Sequence, residues 1–194
     1  MDKSNGLIMG KREGELIQID AYPFFQMLKR SLNFLNPKKA DFGSYLLLSQ
    51  DGCVATDGII LYRGPGINCL ENGEQYFLSF DSIQKMIDQN KRIEKISFVE
   101  LNLKNNILTY KGLLVPLEKN VPFPSWRNTF QYKKTEPQLI NVLYYNAENL
   151  SRILKGTKEI IIKLYPSSSR YEPTFGSYSD GGEFIIMPET GPKP

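Results

Sequence analysis

The stretch from Ser44 to Tyr62 constrains this chain more than any other. Leu46, Leu47 and Leu48 form an apolar run, Asp51–Gly52 a turn, and Cys53–Val54–Ala55 a second run. Asp57–Gly58 then makes another turn before Ile59, Ile60 and Leu61. Asp–Gly supplies the positive φ angles that short hairpin turns require, so the stretch predicts a tight antiparallel meander.

The rest of the chain is organised around that meander. Residues 1–14 carry Gly, Lys and Arg without periodicity and predict a mobile arm. Leu16, Ile17 and Ile19 predict a strand. Asp20 stands as a cap before a helix with Phe24, Met27, Leu28, Leu32 and Leu35 inward, ending at Asn36–Pro37. After the meander a second round begins at Tyr76–Phe77–Leu78, with Ser79 capping a helix that turns Ile83, Met86 and Ile87 inward. Strands are expected at 96–103, 107–110 and 113–117, and the prolines at 122 and 124 exclude a central strand there. Residues 131–138 read as a linker. A third round runs from 139 to 145 as a strand, and Asn146 caps a helix with Leu150, Ile153 and Leu154 inward that ends at Gly156. Strands at 159–165, 171–178 and 183–187 complete it, with a fraying tail beyond.

Strand–helix–strands thus recurs three times, each round about 55 to 60 residues long, and such repetition points to a modular fold. The class is α+β, with antiparallel sheets outside and helices on one face. The expected organisation is an arm over 1–14, a two-half domain over 15–133 and a further half-domain over 134–194.

Composition narrows the chemistry. There is no histidine among 194 residues, which removes the commonest general base and metal ligand. Asp57, Asp180 and Glu183 lie beside turns, where acidic residues are structurally expected, and Arg63–Gly64–Pro65–Gly66 lacks the spacing of a phosphate loop. The reading is a non-enzyme that needs no cofactor and no metal. Cys53 and Cys69 lack metal-ligand spacing and are expected as free thiols. No apolar run is long enough to cross a bilayer and the polar N-terminus lacks a signal-peptide core, so the expected location is the cytoplasm, with no membrane partner. A net charge of +3 says little about partners.

Three separated segments then resemble the bacterial DNA polymerase sliding clamp, the β subunit. Val54–Ala55–Thr56–Asp57–Gly58 followed by Leu61 is similar to a signature of its middle domain. Phe123–Pro124–Ser125–Trp126–Arg127 is similar to the family's Phe-Pro-Asp-Tyr-Arg, with Ser for Asp and Trp for Tyr. Phe184–Ile185–Ile186–Met187–Pro188 is similar to its Val-Met-Pro ending. By this resemblance 15–130 matches the middle domain and 139–190 the second half of the last, while the first domain and half of the third lack counterparts.

The resemblance implies a DNA-clamp-like fold and a role in replication or repair. It implies a groove that takes peptide motifs of DNA polymerase or repair proteins, formed by Phe42, Thr56, Gly58, Leu61, Pro124, Thr129, Ile185, Met187 and Pro188. Leu61, Ile185 and Met187 would offer the apolar slot, methionine adapting to differing anchors; the same strand residues would equally serve as plain core. Ile59–Ile60 stands where the family has a polar His-Arg pair. Double-stranded DNA is the second implied partner, contacted at phosphates by Lys29, Arg30, Lys38, Lys39, Lys85, Lys91, Arg92, Arg152 and Lys155. A closed ring has a dozen half-domains, so three per chain would call for a homo-oligomer of four copies. The alternative is a decoy or regulator that binds clamp partners without encircling DNA.

Overall fold

The computed structural model describes residues 7–39, 41–94, 96–130, 144–155, 163–165, 173–178 and 182–189. Its strands are β1 (Gly10–Glu13), β2 (Leu16–Asp20), β3 (Tyr45–Leu48), β4 (Cys53–Thr56), β5 (Ile60–Gly64) and β6 (Tyr76–Ser79). They continue with β7 (Phe98–Asn102), β8 (Ile107–Tyr110), β9 (Leu113–Pro116), β10 (Lys163–Tyr165), β11 (Thr174–Ser177) and β12 (Glu183–Ile186). The helices are α1 (Ala21–Ser31), α2 (Phe80–Gln89), α3 (Trp126–Phe130) and α4 (Ala147–Leu154). None is long and apolar enough to cross a membrane.

The strands form two antiparallel sheets, ordered β1-β2-β7-β8-β9 and β10-β11-β12-β5-β4-β3-β6. The expected meander is β3-β4-β5, with Leu46 opposite Ala55 and Ala55 opposite Tyr62. The strand that opens each of the first two rounds pairs outside its own round. β2 lies along β7 and β6 along β3, so the two rounds are interlocked. The third round extends the larger sheet, with β12 laid antiparallel on β5.

Alternation along each strand sorts the side chains onto two faces. Ile17, Ile19, Leu46, Leu48, Ala55, Ile60, Tyr62, Leu78, Val99, Leu101, Leu108, Phe184 and Ile186 turn inward. They meet Phe24, Phe25 and Leu28 of α1, Ile83 and Met86 of α2, and Ile153 of α4 in one core. Each such side chain taken from water contributes about 1.5–3 kcal/mol. The opposite face of the larger sheet carries a second cluster, Leu47, Val54, Leu61, Phe77, Trp126 and Ile185. Covered on both sides, β4 is buried along its whole length, which is why Cys53–Val54–Ala55 reads as a continuous apolar run rather than an alternating one. Gly176 leaves room for Phe184, since a Cβ there would sit 2.1 Å from the ring.

The caps divide. Ser79 accepts from the amide of Ser82 and Asn146 from that of Glu148, as expected. Asp20 occupies the N-cap position of α1 but makes no capping bond with its side chain. α1 ends at Ser31 and gives way to a 3-10 turn over Leu32–Phe34, which stops three positions before Pro37.

Four further expectations need correction. Residues 10–13 are a strand paired with β2 through a turn at Gly14, and Ile8 is buried against Ile67. The sequence hides this because Gly-Lys-Arg-Glu has no apolar alternation. Close approach explains Gly10, whose Cβ would lie 2.5 Å from the Gln18 carbonyl oxygen. The segment over 96–103 begins pairing at Phe98, and Ile96 is left exposed. On α4, Ile153 is buried and Leu150 packs against the core, but Leu154 faces outward. The fourth concerns Arg152, Lys39 and Arg30, described below. The linker over 131–138, the stop at Gly156 and the starts of the strands expected from 139, 159 and 171 lie outside the described residues.

Candidate functional site

The pairing of β12 on β5 sets Ile185 opposite Leu61 and Ile186 opposite Ile60. One step further, the Met187 amide donates to the Ile59 carbonyl at 3.3 Å. Residues two apart share a face, so Ile59, Leu61, Ile185 and Met187 lie together on the outer side of the sheet. Leu61 and Ile185 are buried there at 8% and 2% exposure, whereas Ile59 (48%) and Met187 (38%) are open. The accessible apolar surface is therefore the Ile59–Met187 pair, beside the buried Leu61 and Ile185 on the same face.

The cover over Leu61 and Ile185 comes from the segment before β10. Phe123 packs against Phe77 at a centroid distance of 5.7 Å and meets Phe42 edge-on at 6.1 Å. Trp126 joins the buried cluster, and the guanidinium groups of Arg63 and Arg127 lie 5.4 and 4.8 Å from its ring centre. Arg127 also binds the Asp51 carboxylate at 2.6 Å, fixing the segment to the β3–β4 turn.

The β4–β5 turn borders the site. Gly58 sits at φ +92°, a conformation glycine adopts without steric cost. The Thr56 hydroxyl donates to the Ile60 carbonyl at 2.8 Å and accepts from the Gly58 amide at 3.0 Å. Oδ1 of Asp57 accepts from the amides of Ile59 at 2.9 Å and Ile60 at 3.1 Å. Its other oxygen, Oδ2, accepts from Arg152 of α4 at 2.6 Å, a pairing that spans 95 residues. Arg152 also donates to the carbonyls of Asn33 at 2.9 Å and Leu35 at 3.3 Å. The Lys39 ammonium donates to the Asp57 carbonyl. Burial alone would push the Asp57 carboxyl up; the bond from Arg152, the two amides and the Arg152 charge together outweigh it and hold the carboxyl below its ordinary range.

Of the sequence-predicted groove residues, the β5–β12 pairing brings together Leu61, Ile185 and Met187, with Thr56 and Gly58 in the adjoining turn. Thr56, Leu61 and Ile185 are buried, Phe42, Thr129 and Pro188 half-buried, and Gly58, Pro124 and Met187 exposed. Ile59, Phe123 and Trp126 also belong to the region. Their signal was present: Ile59 replaces a polar residue of the resembled pattern, and Phe123 and Trp126 are its aromatic positions.

The basic set separates more sharply. Lys29, Lys38, Lys85, Lys91, Arg92 and Lys155 are exposed. Arg152, expected to face outward, is instead turned onto Asp57 with its side chain 23% exposed. Lys39 is drawn onto the same turn, and Arg30 lies 4.4 Å over the ring of Tyr178. The physical reason is shared: each long cation lies beside an acceptor or π face that the third round or the turn brings within reach.

No protein-family model and no curated protein matches the sequence. Solved structures do match the fold. A DNA polymerase III β subunit from Thermotoga maritima superposes with a TM-score of 0.70 at 11% identity, over 99% of this chain and 70% of that one. A Helicobacter pylori β clamp bound to a DNA ligase peptide gives 0.67 at 11% identity, over 93% and 67%. The DNA polymerase III subunit β from Pseudomonas aeruginosa gives 0.64 at 12%, over 92% and 68%. With its interlocked rounds, two antiparallel sheets and helices gathered on one core, this chain has the DNA-clamp fold of the bacterial DNA polymerase III β subunit.

Proposed function

We propose that this protein is a non-enzymatic, replication-related scaffold that docks short peptide segments of polymerase or repair proteins on the outer face of its larger sheet. The observation that carries the reading is the β5–β12 pairing, which puts the open Ile59–Met187 pair next to the buried Leu61–Ile185 pair and beside Gly58. An aliphatic or aromatic anchor laid there would bury two apolar side chains that are now wet, and the exposed glycine lets a ligand main chain come close. The peptide seen on the Helicobacter pylori clamp supports the ligand class. Pro124 and Pro188 would frame the site, with Phe42 and Thr129 at its edges.

The test is fluorescence anisotropy of a labelled DNA ligase peptide on the wild type and on Met187→Asp. A charge in the apolar contact should weaken binding at least tenfold, about 1.4 kcal/mol or more. Equal binding by both proteins refutes the site.

A second reading, a regulator that binds clamp partners without holding DNA, is favoured by one observation. Arg152, Lys39 and Arg30 are drawn into contacts within the molecule. DNA would then depend on Lys29, Lys38, Lys85, Lys91, Arg92 and Lys155. Retention of duplex DNA that falls steeply with salt supports the first reading, and peptide binding with no DNA retention at low salt supports the second. Light scattering at high concentration decides the four-copy ring; a monomer excludes it. A cytoplasmic location follows from either role.

A further inference from the structure

We propose that Arg152 is a positioning residue for the docking surface, so that the seating of α4 on the first round and the shape of the 56–60 turn form one equilibrium. The proposal rests on the docking reading above and adds its regulation.

The path is a run of hydrogen bonds. Arg152 is anchored at one end by the carbonyls of Asn33 and Leu35, which close the 3-10 turn after α1. At the other end it binds Oδ2 of Asp57. Asp57 uses its second oxygen to hold the amides of Ile59 and Ile60. Ile59 in turn offers its carbonyl to Met187. Four residues therefore link α4 to the two side chains left open for a ligand. The Asp57 side chain is 3% exposed, so water is poorly placed to replace the guanidinium. Two other bonds hold α4 without touching the turn: Asn33 donates to the Lys155 carbonyl at 2.6 Å, across to the first round, and within the third round the Tyr178 hydroxyl donates to the Ile153 carbonyl at 2.7 Å. They provide the control, because losing a tether and losing the strut under the turn are different perturbations. By linkage, a peptide that binds the ordered turn also tightens α4 in its seat.

The experiment compares the full chain with Arg152→Gln, Arg152→Lys and Tyr178→Phe, at a temperature where all four are folded. Two quantities are read: affinity for the labelled DNA ligase peptide and amide exchange at Ile59 and Ile60. Arg152→Gln should weaken the peptide about tenfold and speed exchange at both amides. Arg152→Lys, which keeps the charge on Asp57, should recover part of each loss. Tyr178→Phe should lower stability with affinity and exchange at 59–60 unchanged. If Arg152→Gln unfolds, Asp57→Asn replaces it and should show the same two effects. Equal affinities for Arg152→Gln and Tyr178→Phe, or unchanged protection at Ile59 and Ile60, overturn the proposal. A wild type that binds no peptide refutes the docking reading instead, and the exchange measurement still decides whether Arg152 holds the turn.

Discussion

Arg152→Met is the substitution whose cost the structure defines best. It keeps much of the aliphatic stem and removes three donations, one to a carboxylate and two to carbonyls. A bond to a charged group contributes about 1.5–3 kcal/mol and a neutral one about 1, while breaking one side of a fully buried ion pair costs about 3–5. Asp57 keeps the amides of Ile59 and Ile60, and Arg152 is itself 23% exposed, so the lower part of that range applies. We expect about 3 kcal/mol at pH 7. The sign of the pH dependence follows from the carboxyl being held below its ordinary 3.8 in the folded protein. Its stabilisation is fully present above the unfolded value and is lost as pH falls through the lower folded one. The wild-type advantage over Arg152→Met should therefore be full at pH 7 and shrink as acid protonates Asp57, first in the variant, whose carboxyl has lost the group that held it down. Urea unfolding read by fluorescence of Trp126, the one tryptophan, measures both. A difference under about 1 kcal/mol at pH 7, or one that does not shrink in acid, refutes the reasoning.

Three further outcomes are expected. Ser79→Ala removes an acceptor for the Ser82 amide and should cost about 1 kcal/mol, whereas Asp20→Ala, at a cap position without such a bond, should stay within about 0.5; thermal melts compare them. Gly176→Ala drives a methyl group into the Phe184 ring and should cost 2 kcal/mol or more, roughly, while Gly73→Ala, at φ +92° with open space around it, should cost about 1 from backbone strain alone. Cys53 is fully buried, and burial pushes its thiol up to about 12, so an alkylating reagent should modify it at the rate of global unfolding. Half-buried Cys69 should react through smaller openings; equal rates for the two thiols under native conditions contradict this.

Legibility followed local chemistry. The meander was readable because Asp51–Gly52 and Asp57–Gly58 punctuate apolar runs, and the caps at Ser79 and Asn146 because the residue type needs no distant partner. β1 was not, since what makes Gly10–Glu13 a strand is the neighbouring Gln18 backbone and the loop that packs Cys69 against Gly10. At the site, the motif segments were legible as pieces. Which residues were buried and which open was not: Leu61 and Ile185 carry the same alternation whether or not Phe123 and Trp126 lie over them.

The basic residues show the deeper limit. A cation on one face of a short helix looks alike in sequence whether it meets solvent, phosphate or a carboxylate brought from 95 positions away. Asp57 reads as a turn residue, and its two amide bonds confirm that role, yet the turn needs one carboxylate oxygen for them and leaves the other buried. That second oxygen demands a cation, because an unpaired buried charge costs several kcal/mol, roughly, more than any surface role could return. The requirement is fixed once the turn is buried, but the residue that meets it is fixed by how the third round docks. Arg152 is therefore assigned by topology, through β12 on β5, rather than by its helix face. The same logic bears on Lys39, whose ammonium the Asp57 carbonyl captures from the other side. Arg152 and Lys39 thus meet on one turn from separate parts of the chain, one on its carboxylate and one on its carbonyl.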